Sequence, residues 1–63
     1  MTYIVIEVDG ILRRPINYKG EPDRYTKPKM FQNKKAAQAW IDKRTYKGMS
    51  WHYEIKEYSN ESL

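Results

Sequence analysis

Sixty-three residues make room for one small domain and exclude a second, because single cores divide only at several times this length. With 40% hydrophobic and 32% charged residues there is apolar material for one thin core under a heavily ionised surface. The absence of cysteine removes a disulfide framework, a thiolate metal site and a cysteine nucleophile, which fits a reducing cytoplasm. Formal net charge is +4, yet residues 13 to 47 hold eleven Lys and Arg against three Asp and Glu, net +8, while the two flanking segments hold one against five, net −4.

Such asymmetry implies one electropositive side that attracts a polyanion; the plainer alternative is a soluble surface with no partner. No apolar run approaches the roughly 20 residues of a membrane span, and the amino terminus lacks the pattern of a signal peptide. No membrane partner is expected.

Tyr3 to Val8 is rich in β-branched and aromatic residues and runs into Asp9-Gly10, a dipeptide suited to a type I′ turn. A hairpin is expected, with Ile11 to Ile16 as the returning strand, Val8 opposite Ile11 and Ile6 opposite Arg13. Pro15 lacks an amide donor and marks an edge or the end of that strand. From Asn17 to Lys29 the chain carries Gly20, Pro22 and Pro28 and no periodic apolar set, so it reads as a loop. Its 13 residues approach the length of about 12 to 15 above which unstructured connections are uncommon and usually functional or mobile. Met30-Phe31 can add one or two residues of strand.

Asn33 is placed to cap a helix over Lys34 to Thr45, with Ala36, Ala37, Trp40, Ile41 and the Arg44 stem on one face. Lys34 and Lys35 oppose the positive end of the helix dipole, a local cost that can mark a binding requirement. Gly48 breaks the chain, and Trp51 to Tyr58 alternates as a strand with Trp51, Tyr53 and Ile55 on its apolar face. Residues 59 to 63 are polar and expected to fray. The expected fold is α+β: a small antiparallel three-stranded sheet in the order strand, strand, helix, strand, with one helix on one face. The expected core is Ile4, Ile6, Val8, Ala37, Trp40, Ile41, Trp51, Tyr53 and Ile55. A core this small gains from a second copy or a bound partner, so a homodimer through the open sheet edge is a further expectation.

Catalytic chemistry is not expected. His52 is the single histidine, on the polar face of its strand, and without cysteine it cannot assemble the usual zinc environment. Neither Ser50 beside His52 nor the pair Asp42 and Glu54 has the setting of a nucleophile or a paired acid and base. The three glycines form no dinucleotide fingerprint or phosphate loop. No cofactor and no metal are expected.

What remains is a set of cations with aromatics between them: Arg13, Arg14, Tyr18, Lys19, Arg24, Tyr25, Lys27 and Lys29, then Lys34 and Lys35, with Lys43, Arg44, Tyr46 and Lys47 beyond. Lys and Arg neutralise phosphates with release of counterions, and exposed tyrosine rings stack on unpaired bases. Tyr18 and Tyr25 have an alternative as lids folded back on the core. Trp40 and Trp51 are read as core anchors. The expected partner is a nucleic acid or a nucleoprotein complex. A second reading is a protein inhibitor or adaptor that blocks another protein sterically.

The strand Tyr3 to Val8, the segment Phe31-Gln32-Asn33-Lys34-Lys35-Ala36-Ala37-Gln38-Ala39-Trp40-Ile41 and the strand Tyr53 to Glu57 together resemble many small accessory proteins encoded by bacteriophages and mobile elements. The resemblance covers about half the chain and rests on pattern. It implies action without catalysis, by occupying a surface of host nucleic-acid machinery such as a transcription complex or a CRISPR effector.

Overall fold

Tyr3 to Val8 does form a strand, and its alternating side chains are apolar on both faces. In the computed structural model, which describes residues 2–45 and 48–58, it is the centre of a three-stranded antiparallel sheet. β1 spans Thr2–Asp9, β2 spans Leu12–Pro15, the helix α1 spans Lys34–Arg44 and β3 spans His52–Tyr58, with strand order β2-β1-β3. The α+β class and the element order are as the sequence predicts. The polar tail from residue 59, and Tyr46 and Lys47, lie outside the described residues.

The hairpin register differs from expectation by one residue on each side of the turn. Asp9 pairs with Leu12, Val8 with Arg13 and Ile6 with Pro15, so Gly10 and Ile11 form the turn. A type I′ turn needs positive φ at both central residues, whereas here Gly10 alone has it, at 64°. That is the pattern of a type II′ turn, and it spares the β-branched Ile11 a left-handed conformation. The turn leaves Ile11 fully exposed.

β2 ends at Pro15, but its ladder continues: Ile16 donates to the Val5 carbonyl at 2.8 Å, and Phe31 returns to exchange two 2.9 Å hydrogen bonds with Tyr3. Phe31 thus completes the edge of β1 as a single bridge.

The core also differs from expectation. Helix α1 packs on the face of β1 that carries Tyr3 and Val5, burying Val5, Ile16, Phe31, Ala37 and Ile41, with Trp40, Tyr53 and Ile55 packed against them. Val5 and Ile16, at 0% and 1% exposure, are buried completely, which stabilises the fold by about 2 kcal/mol each. Ile4 and Val8 are buried as expected, and Ile6 is half-buried, but all three lie on the opposite face of the sheet, because strand residues alternate between faces and the pairing of Ile16 and Phe31 fixes Val5 and Tyr3 toward the helix. Ala36 is exposed on the outer side of α1. Asn33 caps the helix as predicted, accepting from the Ala36 amide at 2.8 Å. Thr45, expected as its last residue, is the C-cap, and its amide donates to the Ile41 carbonyl. No described helix is long and apolar enough to cross a membrane.

Candidate nucleic-acid interface

Loop 17–29 has no apolar periodicity because polar side chains fold it. Asn17 is 3% exposed, and its Oδ1 accepts from the amides of Lys19 (2.9 Å) and Glu21 (3.0 Å). Backbone bonds from Asn17 to the Glu21 carbonyl, from Tyr18 to the Lys27 carbonyl and from Lys29 to the Ile16 carbonyl pin the two arms together. Asp23 closes the next turn, accepting from the Tyr25 amide and the Thr26 hydroxyl. Those two hydrogen bonds, the Thr26 one foremost, hold its carboxyl below the usual range. Gly20, with φ 89°, lies beneath the helix end; a Cβ there would meet Arg44 Nη2 at 3.3 Å and Trp40 at 3.9 Å. The loop expected to be unstructured is therefore a folded appendage of the β2 edge.

The cations named from sequence divide by environment. Arg13 reaches across β1 to Glu54 on β3 at 2.6 Å, over the face that carries Ile6 and Val8. This bond, followed by that from His52 at 3.2 Å, holds the Glu54 carboxyl below its ordinary value. Arg14 pairs with Glu7 at 3.3 Å on the helix side, and its buried Nε has no hydrogen-bond partner among the described residues. Arg24 donates to the Arg13 carbonyl at 3.2 Å. Arg44 lies 4.3 Å over the Trp40 ring, which in turn meets Phe31 and Tyr53 edge to face, so Trp40 is a core anchor. Part of the positive charge thus serves the fold.

Lys19, Lys27, Lys34 and Lys35 are exposed, and Lys29 is half-buried. Among the described residues Lys19, Lys27, Lys29, Lys34 and Lys35 make no ion pair. Lys19 Nζ sits 5.8 Å from the Tyr18 ring centre and Lys29 Nζ 5.9 Å from that of Phe31. From Arg24 to Ile41 the chain carries Arg24, Lys27, Lys29, Lys34 and Lys35 and not one Asp or Glu. Tyr18, Lys27, Pro28, Lys29 and Met30 line a shallow groove of about 490 Å³. Tyr18 is 56% and Tyr25 92% exposed, so neither ring folds back as a lid on the core. A groove with one aromatic wall and a lysine rim can accept a planar base and its phosphate.

Sequence reasoning missed Asn17 as the buried organiser of this surface. Its signal was the Asn-Tyr-Lys-Gly run, in which an Asx side chain and a glycine together favour a tight turn. Among the described residues no group of three His, Asp or Glu is placed to hold a metal ion. Comparison of the chain with protein families, with curated proteins and with solved structures finds no match.

Proposed function

We propose that this protein binds nucleic acid, free or within a nucleoprotein complex, through loop 17–29 and the first turn of α1, and acts by contact without catalysing a reaction. One observation carries the reading: within the carboxylate-free stretch from Arg24 to Ile41, Lys27 and Lys29 line a groove walled by the exposed Tyr18 ring, and neither they nor Lys34 and Lys35 make an ion pair among the described residues. Lys27, Lys29, Lys34 and Lys35 neutralise phosphates; Tyr18 and Tyr25 stack on bases; Lys19 extends the basic rim. Arg13, Arg14 and Arg24, already engaged within the fold, add to the long-range field. Action by contact is also the mode implied by the resemblance to phage-encoded accessory proteins.

Fluorescence anisotropy with single-stranded and duplex probes tests the reading. Four phosphate contacts predict a slope of about −3 in log affinity against log salt for a single strand. The double variant Lys27→Glu/Lys29→Glu is expected to lose at least about tenfold in affinity, with circular dichroism showing the fold retained; Lys27 is exposed, and half-buried Lys29 gives up its contact with the Phe31 ring, so a modest fall in thermal midpoint accompanies the change. Absence of binding by the natural sequence at low salt overturns the proposal, and unchanged affinity in the double variant removes the loop from the interface.

A further inference from the structure

We infer that two copies of this chain pair through the outer edges of their β3 strands, in antiparallel register centred on Ile55, to form a continuous six-stranded sheet. The backbone fixes which groups are available. Tyr3 and Val5 direct their amides and carbonyls toward the β2 side of β1, where they bond Phe31 and Ile16. Alternation along the strand therefore turns Thr2, Ile4, Ile6 and Val8 toward β3, where their partners are Tyr58, Lys56, Glu54 and His52. The remaining β3 residues, Tyr53, Ile55 and Glu57, aim their amides and carbonyls away from the sheet. Among the described residues these outward groups have no backbone partner. An unpaired edge of this length is a template for another strand.

The side chains select the partner and the register. A two-fold axis through Ile55 sets Ile55 against its own copy and Tyr53 against Glu57, so every outward-facing residue meets another outward-facing residue. Three hydrogen-bonded pairs with two bonds each result. The same axis sets Glu54 of each copy against Lys56 of the other, two opposite-charge pairs on the face away from the helix. Lys56 has no ion-pair partner among the described residues of its own chain. Moving the axis one residue toward the amino end sets Glu54 against Glu54, and one residue toward the carboxyl end sets Lys56 against Lys56. Like charges directly opposite one another disfavour both registers. The axis stands perpendicular to the sheet, so both helices lie on one side of the dimer.

Sedimentation equilibrium of the full chain, over protein concentrations from about 10 µM to 1 mM, reads the assembly directly. The expected result is a concentration-dependent shift from 7.6 kDa to twice that mass. Lys56→Glu places two like-charge pairs in the interface and is expected to weaken dimerisation about tenfold or more, while circular dichroism shows the fold retained. Glu54→Lys also gives up the Arg13 and His52 contacts within its own chain, so circular dichroism checks its fold as well; it weakens the dimer in the same way, and mixing the two variants restores one, because each copy then carries charges of one sign against the other. Glu57→Pro removes one outward amide without touching the bonds to β1 and is an independent route to the monomer. A monomer mass at 1 mM overturns the proposal. So does a dimer indifferent to both Lys56→Glu and Glu57→Pro, and failure of the mixed variants to pair overturns the register.

Discussion

Asn17 shows how much one side chain can do in a chain with so little core. It sits, itself buried, where the sheet edge gives way to the loop, and its carbonyl oxygen accepts from two amides of the turn. Replacing it with alanine removes the acceptor and leaves both donors and a small void behind. Asn17→Ala is expected to lower stability by about 1 to 3 kcal/mol, read as a shift of the urea midpoint. Nucleic-acid affinity should fall with it, because the backbone bond that holds Tyr18 against Lys27 starts at the residue next to Asn17, beside the turn that Asn17 closes on Glu21. A loss below about 0.5 kcal/mol, within the range of ordinary surface substitutions, would show that the loop is held by its backbone bonds alone.

Among the elements, the helix and β3 were legible because each carries one clean period. The cap at Asn33, the apolar positions Ala37 and Ile41, and the alternation of Tyr53 and Ile55 against Glu54 and Lys56 all appear where sequence places them. β1 was legible as a strand and illegible in its facing. Ile4, Ile6 and Val8 are as apolar as Tyr3 and Val5, and the choice between them is made by Ile16 and Phe31, which pair with β1 from either end of the loop. That is a long-range decision, absent from any local pattern.

The basic character of the candidate site was visible, but its division was not: which cations are consumed depends on Glu7 and Glu54, distant in sequence from most of them. The loop's attachment to the helix was hidden for a similar reason, since it depends on a residue with no side chain. Gly20→Ala places a methyl group 3.3 Å from the Arg44 guanidinium on a backbone already at φ 89°. The variant is expected to lose about 1 kcal/mol or more, with weaker stacking of Arg44 on Trp40 reported by a change in tryptophan fluorescence. A neutral effect on both readouts would detach the loop from α1.

At the scale of the whole molecule, the two edges of the sheet differ. The β2 edge carries the folded basic loop, and the β3 edge has no strand against it among the described residues. Pairing at β3 yields the strand order β2-β1-β3-β3-β1-β2, which sends the two basic loops to opposite ends, with the outer strands about 24 Å apart at the usual spacing. A strand of about 8 nucleotides then fills one loop site, whereas one of about 30 can engage both, and the second contact becomes intramolecular. At concentrations where the dimer forms, the natural sequence is expected to bind the long strand at least about tenfold more tightly than the short one, beyond the gain from additional sites. Lys56→Glu should abolish that difference and leave affinity for the short strand unchanged, because Lys56 lies on the strand edge opposite the loop. Anisotropy titrations of both probes with both proteins decide the matter. Loss of short-strand binding in Lys56→Glu would place β3 in the nucleic-acid interface itself, and a length dependence that survives the substitution would mean that each copy binds alone.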